Sequence, residues 1–400
     1  MKRLLFLIIC STFCVFDLSY AKVDDDLEQY LTEPSTKFLN PKISFKLSSD
    51  FNLTDNYQAT KKKSEYKDID FTSRFYGKFT LNDNLYIRSY LKFQREDPIS
   101  KSSDISSNKA KNRYFENGAI HIEELNINYK IADFSFKIGK TNLDFGRSWD
   151  WKRGIFAYKL AKNYKQTEKL GFGISYKLGD KQKDGAYHFN FFSFIDDNKY
   201  LDNSIITKRD LSDNLNNKIT TKSGLKSYIA SLDINFDFGE KYREQEQLLY
   251  QFAYLNHALQ NKEISLQDNK DEKSFAFSLK YILPIYHNFA IDAIYEYVKI
   301  NNVDGNKNIS ENYNNLSLIS KIFNNYNLTL SYNQLSNKEK FANGFDKNIS
   351  EISFGYKFEE TIIFDELLLQ AGYKNQRTNY KTSLDKQNAI GLLLRYTKNF

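Results

Sequence analysis

Residues 390–400 alternate to the last position. Counting back from the end, one parity reads Phe400, Lys398, Tyr396, Leu394, Leu392 and Ile390, and the other reads Asn399, Thr397, Arg395, Leu393 and Gly391. A period of two with one greasy face and one polar or small face is the mark of a β-strand. The strand ends on an aromatic residue, where the end of a soluble domain usually frays and has little reason to hold a large apolar group. The medium on the greasy side must therefore be apolar.

The same alternation recurs from about residue 42 onward. Ile69, Phe71, Phe75 and Phe79 oppose Asp70, Arg74 and Lys78, and Leu85, Ile87, Leu91 and Phe93 oppose Arg88 and Lys92. Leu170, Phe172, Ile174 and Tyr176 oppose Lys169, Gly171, Gly173 and Ser175, while Phe289, Ile291, Tyr295 and Tyr297 oppose Asp292 and Glu296. Several of these segments reach the roughly 9–11 residues that a tilted strand needs to cross a bilayer. Short turns at 82–84, 131–133, 284–287, 324–325 and 359–362 alternate with long polar stretches near 95–116, 141–167, 196–224, 258–273, 299–311, 335–348 and 376–387, with intermediate turns near 179–185 and 239–247. The count is sixteen strands with both ends on one side. Eighteen stays open, with residues 22–36 or 103–116 holding an extra strand. A soluble β-sandwich would alternate too, but its connections need not sort into two lengths.

The start of the chain reads as an export signal: Lys2 and Arg3, an apolar run from Leu4 to Phe16, and the small-x-small site Ser19-Tyr20-Ala21. Cleavage after Ala21 divides the chain into a signal, 1–21, and a single domain, 22–400, with 22–36 a periplasmic lead-in. Both cysteines, Cys10 and Cys14, fall in the signal, so the mature chain uses neither disulfides nor thiolate metal sites. No run of about 20 apolar residues follows, which excludes a spanning helix. The mean hydropathy of −0.61 matches a soluble chain, but a barrel averages to such a value because its two faces alternate. The 29 Tyr and 33 Phe suit interfacial girdles; a low-GC genome would enrich the same residues.

The final strand resembles the closing strand of bacterial outer-membrane β-barrels, whose terminal Phe is read by the assembly machinery. That resemblance implies an all-β fold, a transmembrane antiparallel up-and-down barrel, and makes Phe400 and Tyr396 its barrel-closing and assembly signal. Leu143-Asp144-Phe145-Gly146 resembles the Pro-Glu-Phe-Gly core of the third loop of general trimeric porins, with Asp for Glu and no proline. In those proteins the loop folds into the lumen and sets acidic groups against a basic wall. The resemblance makes 141–167 a candidate pore-constricting loop carrying Asp144, Arg147, Asp150, Lys152 and Arg153. They would face Arg74, Arg88 and Arg395, with Lys46 and Lys78 nearby. The alternative is an external cap with Trp149 and Trp151 at the membrane interface. The porin resemblance further implies passive diffusion of small hydrophilic solutes and ions, an outer-membrane location among lipid and lipopolysaccharide, and a homotrimer.

The charges agree with a wet interior. Arg or Lys facing hydrocarbon at the midplane would cost roughly 2–4 kcal/mol, and sixteen strands leave an aqueous channel. Opposed charged walls orient dipolar solutes, and the net charge of +7 leans slightly toward anions. His121, His188, His257 and His287 lie in no nucleophile motif. No catalytic set, metal cluster, cofactor motif or nucleic-acid surface is read. A substrate-specific channel and a surface adhesin or receptor on a barrel scaffold are the competing readings. The parity of Phe400 places Leu392, Leu394 and Tyr396 on lipid and Arg395 in the lumen, with Lys398 as a misfit that snorkels at the rim.

Overall fold

A computed structural model describes residues 41–95, 112–115, 118–151, 154–181, 184–196, 219–222, 224–238, 246–262, 264–265, 267–286, 288–323, 325–340 and 344–400. The signal, the lead-in, Lys152, Arg153 and most of the 95–116 and 196–224 stretches lie outside them.

Among the described residues the chain forms nineteen strands: β1 (Lys42–Ala59), β2 (Tyr66–Asn82), β3 (Leu85–Arg95), β4 (Arg113–Tyr114), β5 (Gly118–Ile131), β6 (Phe134–Leu143), β7 (Gln166–Asp180), β8 (Gly185–Asp196), β9 (Ile219–Thr221), β10 (Ser227–Asp237), β11 (Gln247–His257), β12 (Leu259–Asn261), β13 (Glu272–Tyr286), β14 (Phe289–Asn301), β15 (Ile309–Ile322), β16 (Tyr326–Glu339), β17 (Phe345–Phe358), β18 (Glu366–Tyr380) and β19 (Leu384–Asn399). Sixteen of them pair antiparallel with their neighbours, and β1 closes on β19. The backbones of Phe45 and Phe400 exchange two hydrogen bonds at the seam, 3.1 and 2.8 Å. Closure leaves no edge with unpaired N–H and C=O groups, as a spanning sheet requires. The sixteen-strand expectation holds. The extra strand allowed for near 103–116 is only β4, which pairs parallel with β2 and does not enter the cylinder, while β9 and β12 form a small ribbon beside it.

The predicted phase of β19 is observed. Leu392 and Leu394 are exposed on the outer wall at 44 % and 42 %, while Leu393 between them is buried at 3 %. Lys398 does not merely snorkel: its Nζ pairs with Asp365 Oδ1 at 3.1 Å in the β17–β18 turn. The sorting of connections into two lengths is corrected at three places. Beyond β14, β16 and β18 the connections are 302–308, 340–344 and 381–383, much shorter than the polar stretches implied. Alternation continues there in polar residues, so the strands rise past the apolar band. Gln376 and Gln387, and Arg377 and Lys386, for example, pair across β18 and β19.

A barrel with lipid outside and water inside has no ordinary core. Here the apolar core sits within the cylinder. Ile229, Leu255, Val298, Ile300, Leu335 and Ile349 point inward from the wall and are buried against Phe145, Leu160 and Tyr164 of the connection between β6 and β7. That connection is therefore folded into the barrel.

Candidate pore site

The 144–165 segment crosses the interior and is fixed by two carboxylates three strands apart on the wall, on β14 and β17. Glu296 of β14 accepts the N–H of Ser148 at 2.9 Å and the N–H of Arg147, at the start of the helical turn Ser148–Trp151. A carboxylate there satisfies donors that have no partner inside the turn. The same carboxylate accepts the Ser278 hydroxyl at 2.5 Å and the Tyr164 hydroxyl, whose oxygen in turn accepts from Asn315 Nδ2 at 2.8 Å. Glu351 of β17 accepts the N–H groups of Ile155 and Phe156 at 2.7 and 3.0 Å. The approach depends on Gly154, which has φ +134° and lies so near that a Cβ would sit 2.8 Å from Glu351 Oε1.

Apolar contact completes the docking. Ile155 and Phe156 pack on Ala389 and Leu393 of β19. Gly391 makes room for the ring, since a Cβ there would lie 2.6 Å from Phe156 Cζ. The segment thus spans from its root on β6 to the far wall. Trp149 packs against the interior cluster and donates its Nε1–H to Gly146 O at 3.1 Å. The alternative with Trp149 at the membrane interface is excluded.

The charged residues expected at the site fall into separate groups. Arg147 is held between Asp144, 3.0 Å away, and Asp233 of β10, 2.8 Å away. Asp150 is exposed within the segment. Arg74 of β2 and Arg395 of β19 converge on Asp50 of β1, at 2.8 Å and 2.7 Å. Arg88 does not join them; it stands opposite Lys78 in the β2–β3 register and opposite Asn126 of β5. The single basic patch is corrected to an Asp50-centred triad and a separate Lys78–Arg88 pair. Further along the wall, Lys92 and Lys165 share Glu123 at 2.8 and 3.3 Å, and Lys165 Nζ lies 4.1 Å from the Trp149 ring centroid.

Three residues that organise the site were not singled out from sequence. Asp50, Glu296 and Glu351 all carry the inward parity, which was the signal open to a reader. What hid their role is that their partners are backbone N–H groups or arginines on strands distant in the chain.

No protein-family model and no curated protein matches the sequence. Solved structures do match. The outer membrane channel DcaP of Acinetobacter baumannii superposes with a TM-score of 0.54 at 13 % identity, covering 91 % of this chain and 99 % of that one. A loop L8 deletion mutant of OmpT, an outer membrane protein of Vibrio cholerae, gives 0.50 at 12 % identity over 90 % of this chain and 100 % of that one. The fold is that of a porin-like outer-membrane β-barrel. At such identities the likeness speaks for architecture alone.

Proposed function

We propose that the protein is an outer-membrane channel for small hydrophilic solutes and ions. The observation that carries this reading is the closed sixteen-strand wall with charged and polar side chains inside, narrowed by an internal segment anchored on Glu296 and Glu351. A wall built only to display loops needs no anchored internal segment. The constriction is formed by Asp144, Arg147 and Asp150 with Asp233, and Arg74, Arg395 and Arg88 line the wall facing the lumen. Lys152 and Arg153 belong to the same segment. The transverse arrangement of charge would orient dipolar solutes while they pass. Export through a signal cleaved after Ala21, assembly through the final strand with Phe400 and Tyr396, a setting in lipid and lipopolysaccharide, and a trimer remain part of the same proposal.

Purified full-length protein in a planar bilayer tests it. Stepwise conductance in simple salt is expected. A folded, heat-modifiable protein that inserts without raising the current would refute a channel and favour a receptor or adhesin.

A further inference from the structure

Several inward-facing cations of this barrel share a carboxylate. Arg74 and Arg395 share Asp50, Lys92 and Lys165 share Glu123, and Lys280 and Lys321 share Asp292. Lys159 of the internal segment, Lys347 of β17 and Lys374 of β18 break this pattern. Among the described residues none of the three makes an ion pair. Lys374 Nζ donates to the neutral Gln387 Oε1 at 3.1 Å and lies 5.6 Å from the centre of the Phe156 ring. Lys159 Nζ lies 4.7 Å from that same ring. One aromatic face-and-edge system thus steadies two ammonium groups, which is a modest compensation beside an anion.

The neighbouring carboxylates are occupied. Glu351 accepts the two backbone N–H groups, and Asp385 is paired with Lys61 at 2.6 Å. Beside the lysines a cavity of about 240 Å³ opens at the loop end of the barrel, with Lys347, Gln376, Thr378, Gln387 and the Lys61–Asp385 pair in its lining. Lys374 stands directly behind that lining through its bond to Gln387. Burial, then Lys162, lowers Lys159 to about 8, against the opposing pull of Asp68 and Glu351.

We propose that this cavity between the β1–β2 connection and strands β17 to β19 binds small anions carrying more than one negative charge, carboxylate or phosphate. Lys347 in the lining supplies the counter-charge, reinforced by Lys374 and Lys159 behind it, and Gln376, Gln387 and Thr378 supply hydrogen bonds. A monoanion relieves one of three mutually repelling ammonium groups; a multivalent anion relieves more of them at one site. The inference rests on the channel reading and sharpens it to a solute class.

The test is block of the open channel. Full-length protein in a planar bilayer in KCl receives citrate, inorganic phosphate or acetate on each side in turn. Citrate or phosphate at millimolar concentration is expected to lower the current, and acetate at the same concentration is not. Block by citrate alone assigns the site to carboxylates, and block by phosphate alone assigns it to phosphates. Lys347→Gln with Lys374→Gln is expected to raise the half-blocking concentration at least tenfold, while Lys137→Gln on β6 leaves it unchanged. Lys347→Gln alone, at the cavity lining, serves if the double variant fails to show the heat-modifiable band of a folded barrel. Equal block in wild type and the lysine variants would overturn the site, as would conductance insensitive to both anions. An absent wild-type conductance would instead overturn the channel.

Discussion

Glu351 accepts the backbone N–H of Phe156 at 3.0 Å, although 195 residues of chain separate them. The contact lies where the internal segment meets the far wall, and the neighbouring Ile155 N–H ends on the same carboxylate. An inward carboxylate on a porin-like wall would ordinarily belong to the water. Here it is a structural acceptor that fixes how far the segment reaches across the lumen.

Removing that acceptor should loosen the constriction. Glu351→Ala leaves two buried donors unpaired, at roughly 1–3 kcal/mol each. The expected outcome is a trace that flickers between two conductance levels where wild type holds one, and faster proteolysis within 154–160. Glu351→Gln keeps one acceptor oxygen and should fall between. A steady wild-type level in the alanine variant would show that apolar packing alone holds the segment.

Asp50 neutralises Arg74 and Arg395 together, bridging β1, β2 and β19 at the barrel seam. Asp50→Asn should therefore shift the reversal potential under a KCl gradient toward anions. Arg74→Ala with Arg88→Ala should shift it the opposite way. The stability loss in Asp50→Asn should be smaller than the roughly 3–5 kcal/mol of breaking a fully buried pair, because both guanidiniums reach lumen water. Thermal loss of the heat-modifiable band measures it.

The barrel was legible because its signal is local: each strand declares its own period, and Leu392 against Leu393 shows the phase directly. The shortness of the last three connections was hidden because alternation written in Asn, Ser and Lys carries no hydropathy contrast. Gln376 and Gln387 read as loop yet pair as strand. The docked segment left a trace in β14, where the inward residues Ile294, Val298 and Ile300 are apolar beside an apolar outer face. A strand greasy on both faces is covered on both. The anchors were out of reach, since nothing at Glu296 or Glu351 distinguishes a carboxylate meant for backbone N–H groups from one meant for water.

Gly391 offers a steric test of the same docking. Its missing Cβ is the space taken by Phe156, with Ile155 Cγ2 at 3.0 Å. Gly391→Ala should push the ring by a few tenths of an ångström or more, and Gly391→Leu should displace it altogether, costing about 1–3 kcal/mol as overpacking. Single-channel conductance should rise in the order wild type, alanine, leucine. A conductance that falls in that order would mean that the new side chain fills the lumen while the segment stays in place.

Lys159 gives the proposed channel a pH dependence of determined sign. Burial, then Lys162, depresses its pKa to about 8, so the ammonium is charged below that value and lost above it. Raising the pH from 7 to 9 discharges Lys159 beside Phe156, while ordinary surface lysines near 10.4 stay protonated. Anion preference, read from the reversal potential, should decline across this interval with a midpoint near 8. Lys159→Gln should start from the lower preference and show no such step, and Lys159→Arg should hold the higher preference through pH 9. A step that persists in Lys159→Gln would assign the titration to another group.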